Sequence, residues 1–230
     1  MGYVESDIIK MCDRAWNNMA TFYQLDCINY RGKTSDTDRY YSEIVAEYVL
    51  NHMEEFKAGI PTITRESCYD LQHDGSYREG TGRDEEVIAI KMFLQSQSGY
   101  RFGGIGTIID YQTPLKNKRD DTAGKIDLLA LDGEVLRILE LKKPDSKETM
   151  LRCVLEGYTY LKTVDKEKLI KDFNLLPNTK VMASPFVFYE GEQWNEWDEK
   201  RSMLMKLMRE LESTPYFIKE QDGKFMIMED

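Results

Sequence analysis

Residues 123–142 read AGKIDLLALDGEVLRILELK, and this stretch constrains the fold more than any other. Two apolar runs of strand length flank Asp132-Gly133, a dipeptide that favours the tight turn of a β-hairpin. Strands are therefore expected at 123–131 and 134–142. Asp127 interrupts the first run, and Glu140 and Lys142 close the second. Side chains alternate faces along a strand, so Glu140 and Lys142 share a face with Leu136 and Ile138. The turn brings Asp127 toward Glu140, with the register left open.

Hydrophobic periodicity supplies the rest of the organisation. Helical spacing predicts helices over 5–27, 38–57, 84–97, 147–163 and about 196–212. Further strands are expected at 106–113 and at 179–189, the latter interrupted by Pro185. A short hairpin is expected around Asp222-Gly223. Residues 70–83 are glycine-rich and read as a loop. Three regions result: an N-terminal helical part, 1–75, packed on a core, 76–190, with a C-terminal helix and hairpin, 191–230. Together they form one compact α/β domain. From residue 84 the order is helix, three strands, helix, strand, a mixed sheet flanked by helices.

Composition narrows the function classes. The chain has 230 residues, with 31 Lys+Arg against 41 Asp+Glu and a net charge of −10. A broad basic face for nucleic acid is therefore not expected. The acidity is uneven, however. Residues 100–180 carry a net +2, against −7 before them and −5 after. Lys116, Lys118, Arg119, Lys125, Lys142, Lys143 and Lys147 concentrate near the charged hairpin. No apolar run reaches membrane-spanning length, and the first residues fit neither a secretory nor a myristoylation signal. Cys12, Cys27, Cys68 and Cys153 are far apart and read as reduced thiols, most of them buried. A cytoplasmic protein without a membrane partner is expected, and a homodimer is left open.

The hairpin's charges carry the chemistry. Two carboxylates on one apolar sheet face repel each other and are costly to bury. A divalent cation with hard oxygen ligands resolves this. Asp127 and Glu140 would supply carboxylates, and the Leu141 carbonyl lies between Glu140 and Lys142. Lys142 would position an attacking water or offset charge in a transition state. An E-x-K at a strand end is also commonly an ordinary ion pair, so a purely structural role is the competing reading.

Asp127, twelve intervening residues and Glu140-Leu141-Lys142 resemble the D…(D/E)-x-K signature of the PD-(D/E)XK nuclease superfamily. The helix-strand-strand-strand-helix-strand order is similar to its restriction-endonuclease-like αβββαβ core. The likeness covers roughly residues 84–190, and Ile126 stands where many members have Pro. It implies a Mg²⁺-dependent nuclease, with Mn²⁺ able to substitute, acting on nucleic acid and first of all on DNA. Asp127, Glu140, Leu141 and Glu86 would hold the metal, with Glu85 the alternative to Glu86. Lys142, Glu140 and Asp127 would be catalytic. Arg152, Glu156 and Tyr160 fall on one helix stripe similar to that of RecB-like members. Lys125, Lys143, Arg152 and Tyr160 are the candidate nucleic-acid contacts, although Arg152 can equally pair with Glu156 and Tyr160 can equally pack. His52 and His73 carry no assigned role. The non-enzymatic alternative is a nuclease-like fold serving as a nucleic-acid or protein-binding module.

Overall fold

The hairpin is the centre of the sheet. In the computed structural model, which describes residues 2–77, 80, 83–117 and 124–228, β2 (Lys125–Asp132) and β3 (Val135–Leu141) pair antiparallel. Leu128 stands opposite Leu139 and Asp132 opposite Val135. Gly133 and Glu134 form the turn, with Gly133 at φ 58°, where a residue without a Cβ is unstrained. β1 (Thr107–Pro114) pairs antiparallel with the other side of β2. β4 (Lys180–Phe188) runs parallel to β3, and β5 (Tyr216–Gln221) runs parallel to β4. β6 (Lys224–Ile227) closes the six-stranded mixed sheet, antiparallel to β5.

Parallel neighbours need a crossover, and here it is α5 (Met150–Thr163) followed by α6 (Lys166–Asp172). α5 packs against the sheet face bearing Leu129, Leu136 and Ile138. α4 (Asp84–Gln97) covers the opposite face, against Leu128, Ala130, Leu139 and Leu141. α1 (Glu5–Ala15), α2 (Tyr41–Asn51) and α3 (Met53–Gly59) add Ile8, Ile44 and Phe56 to the core on the α5 side. α7 (Glu192–Asp198) and α8 (Ser202–Glu210) join the same side through Trp194 and Leu204.

Several elements differ from the sequence expectation. The 5–27 helix stops at Ala15, and two short 3₁₀ turns follow, Met19–Gln24 and Asp26–Asn29. Asn17-Asn18 falls at the break, and Asn18 leaves helical geometry at φ −136°. Asparagine side chains compete with the backbone and favour such breaks. The 38–57 helix divides at His52, whose Nδ1 lies 2.8 Å from the Tyr48 carbonyl. The last helix divides around Lys200, at φ 53°. Pro185 does not interrupt β4. It sits opposite Glu140, and β5 joins only from Phe186 onward. α6 was not anticipated, although Asp165 accepts the Lys168 N–H as its N-cap. The second hairpin forms as expected, with Asp222 and Gly223 both at positive φ, and it extends the main sheet. Lys118 and Arg119 lie outside the described residues.

Candidate active site

Glu140 and Lys142 do share a face, and they touch. Lys142 Nζ donates to Glu140 Oε1 at 2.7 Å, with both residues about 5% exposed or less. Asp127 lies one step beyond the Leu128–Leu139 pair, across the hairpin from Glu140. It is half-buried, and both of its oxygens are engaged. Oδ2 accepts the Leu141 N–H at 3.0 Å, and Oδ1 accepts Gln112 Nε2 at 3.1 Å. Gln112 reaches it from β1 with φ at 50°, a strained conformation for a residue with a Cβ.

Lys142 has more partners than the hairpin alone offers. Its Nζ lies 2.6 Å from Glu148 Oε2, an ion-pair approach without hydrogen-bond alignment, and 3.6 Å from Glu156 Oε2. Burial alone would lower its pKa, but Glu140 and the other surrounding charges raise it well above the usual lysine value. Lys142 is therefore a permanent cation. The carboxylates respond in the opposite sense. Burial, opposed by Lys142 and reinforced by Glu85, pushes Asp127 up to about 7. Burial and then Glu156 raise Glu140 well above the usual carboxylate range. Glu140 Oε2 is buried and has no hydrogen-bond partner. An unpartnered buried carboxylate oxygen is costly, and a bound cation is one way to satisfy it.

The two acidic candidates on α4 separate clearly. Glu85 Oε1 accepts the Lys143 N–H at 3.1 Å, and Lys143 Nζ reaches Asp84 at 3.1 Å. These bonds dock the first turn of α4 onto the end of β3, and the charge of Glu85 acts on Asp127. Glu86 instead faces Arg83 at 3.4 Å and acts on Tyr111. Of the two, Glu85 is the one whose charge acts on a hairpin carboxylate.

The proposed contact residues also divide. Lys125 is exposed at the start of β2. Lys143 is tied to Asp84 and, at 3.4 Å, to Asp145. Arg152 Nε donates to Glu156 at 3.2 Å, and its guanidinium lies 4.9 Å from the centre of the Tyr23 ring. Tyr160 is buried, and its hydroxyl donates to Glu156 Oε1 at 2.9 Å. The geometry thus makes Arg152, which is half-buried, and Tyr160, which is buried, supports of Glu156, itself beside Lys142.

Sequence reasoning missed Gln112 and Glu148. Gln112 was legible in principle, because an antiparallel β1 can place it opposite Asp127. Glu148 had no such signal. Its segment is positioned by distant residues: Arg31 and Gln193 both donate to the Ser146 and Glu148 carbonyls. His73 was left without a role. Its Nδ1 pairs at 2.7 Å with Asp110, which also accepts the Thr113 hydroxyl at 2.5 Å, and its ring stacks on Tyr111.

The donor set of Asp127, Glu140 and the Leu141 carbonyl is all oxygen, which suits Mg²⁺ or Mn²⁺. The orphaned Glu140 Oε2 fits the same demand. Among the described residues, no group of three or more His, Cys, Asp or Glu side chains is arranged to hold a metal. A Mg²⁺ ion held by one or two carboxylates and water needs no such group. Compared with known proteins, the chain matches no family model, no curated protein and no solved structure.

Proposed function

We propose that the chain is a Mg²⁺-dependent phosphodiesterase acting on nucleic acid, with DNA the first substrate to test, built on a restriction-endonuclease-like αβββαβ core. The order α4, β1, β2, β3, α5, β4, with α6 inserted before β4 and β3 parallel to β4, supports that reading of the fold. The observation that carries the function is the buried, unpartnered Glu140 Oε2 beside Asp127 and Lys142. Asp127, Glu140 and the Leu141 carbonyl would hold the ion, and Glu85 fits the fourth position better than Glu86. A divalent ion held by these residues would supply Lewis-acid polarisation of a phosphoryl oxygen and a more acidic water.

The chain's own residues do the rest. Gln112 and the Leu141 N–H fix the orientation of Asp127. Lys142 stays protonated, so it offsets negative charge on the phosphate and does not remove a proton. Glu148 and Glu156 hold its ammonium in place. Lys125 engages the backbone of the substrate weakly and in a salt-sensitive way.

The test is a cleavage assay on single- and double-stranded DNA and RNA with Mg²⁺ or Mn²⁺, comparing the native chain with Lys142→Ala. Metal-dependent cleavage lost in the variant supports the proposal. Cleavage that survives both Lys142→Ala and Glu140→Gln sinks it. One observation favours a second reading: three carboxylates engage Lys142. That suits a nuclease-like fold kept as a binding module, and nucleic-acid binding without cleavage in Mg²⁺ would identify it.

A further inference from the structure

A cavity of about 350 Å³ lies along β4, toward the turn of the hairpin and away from its charged ends. Lys57 of α3, Lys162 of α5, Lys166 of α6 and Lys180 of β4 converge on it. Lys57 and Lys180 are distant in sequence from the Lys162–Lys166 pair, so the fold brings the three stretches together. Among the described residues, Lys57, Lys162 and Lys166 have no carboxylate within ion-pair distance, and Lys180 pairs with Glu212 at 2.9 Å. Burial and then the charge of Lys162 lower the pKa of Lys166. Four lysines against the two glutamates of the lining leave an excess of positive charge, which suits a place where an anion binds.

The wall of the cavity is apolar. Tyr158, Leu161 and Val181 line it, all of them buried in the core. Glu210 and Glu212 line the cavity too, and the charge of Glu54 acts on Tyr158. Lys57 and Lys180 both act on Glu212, which therefore competes for the lysines. The cavity lysines and the hairpin carboxylates occupy different stretches of the strands. Lys180 pairs with Val135, whereas Glu140 pairs with Pro185, five residues further along each strand. At about 3.3 Å per residue Lys180 lies about 16 Å from Glu140 along the strands, while Ala183, at the other edge of the cavity, is two residues from Pro185.

We propose that this cavity binds a nucleotide unit, with its phosphate on the lysines and its apolar part against Tyr158, Leu161 and Val181. The volume is that of a small-ligand pocket, and a lysine rim over an apolar wall matches the two halves of a nucleotide. The unit is either a free nucleotide or the phosphorylated end of a strand. The site does not depend on the nuclease reading.

Equilibrium titration of the intact chain with adenosine 5′-monophosphate, adenosine and a 5′-phosphorylated dinucleotide tests this at low and physiological salt. Binding should require the phosphate and weaken with salt. The Lys162→Gln/Lys166→Gln chain should lose affinity about tenfold or more, and Glu212→Gln should gain a few-fold by freeing Lys180. Comparable binding of the dinucleotide identifies a strand end, and binding of the monophosphate alone identifies a free nucleotide. The proposal falls if adenosine binds as well as its monophosphate, or if the double variant binds unchanged. It also falls if neither the native chain nor Glu212→Gln binds either phosphorylated probe.

Discussion

Two buried charged clusters flank α5, one at the ends of β2 and β3, the other where α7 and α8 meet the start of α5. In the second, Glu196 accepts the Met150 N–H at 3.0 Å and lies 3.7 Å from Arg201. Arg201 donates to Ser42 and Glu199, and its guanidinium lies 3.9 Å from the centre of the Tyr40 ring. Neither Glu196 nor Arg201 has a buried side-chain atom without a hydrogen-bond partner. In the first, Asp127, Glu140, Glu148 and Glu156 outnumber Lys142 and Arg152, and one Glu140 oxygen has no partner. Glu140 and Lys142 in the first and Glu196 and Arg201 in the second are all buried, so burial does not separate them. The unpartnered oxygen does: a fully partnered cluster holds elements together, whereas a buried carboxylate oxygen without a partner suits cation binding.

The largest test of this contrast exchanges the two clusters. Lys142→Ala or Glu140→Gln should reduce metal-dependent cleavage by about a thousandfold, as loss of a charge-stabilising group does. Arg201→Ala should leave the rate per folded molecule nearly unchanged. It should instead lower stability by about 3 kcal/mol, because Glu196 is left buried without its cation. Denaturant unfolding and cleavage kinetics on the same preparations check both. Equal loss of activity from Arg201→Ala would remove the distinction.

The sequence marks the first cluster far better than the second. Asp127, Glu140 and Lys142 stand out because strand alternation and Asp132-Gly133 place them on one face. The helix at 84–97 is also legible, with acidic residues in its first turn. Glu148 and Arg201 are not legible, because their partners lie across the fold. Arg31 and Gln193 set the segment of Glu148, and Ser42 and Tyr40 receive Arg201. Local periodicity also extends helices through Asn18, His52 and Lys200, where backbone geometry breaks them.

A smaller effect follows from the raised Asp127. Its carboxylate titrates near 7 in the folded chain, above the ordinary value of 3.8. The folded state therefore holds a proton that the unfolded state has lost. Without divalent ions, this contribution is full below about pH 4, falls as pH rises through 7 and is flat above. Asp127→Asn should accordingly raise stability at pH 8 by about 1–3 kcal/mol while abolishing cleavage. In the native chain, Mn²⁺ should bind more tightly at pH 8 than at pH 6, because the ion displaces that proton. Thermal unfolding with and without Mn²⁺ at the two pH values reads both. A pH-independent Mn²⁺ effect would detach Asp127 from the metal.

Gln112 offers the finest test, because it combines strain with function. Its φ of 50° disfavours a side chain, yet its amide orients Asp127. Gln112→Ala keeps the strained backbone and removes the bond, so it should destabilise by about 1 kcal/mol. Gln112→Gly removes the bond and the strain together, so its stability should stay within about 0.5 kcal/mol of native. Both should lower cleavage only a few-fold, since Asp127 keeps the Leu141 N–H. Equal stability of the two variants would mean that the backbone stores no strain at Gln112. A full loss of cleavage in both would make Gln112 a requirement of the site, comparable with Lys142, and would extend the acidic cluster onto β1.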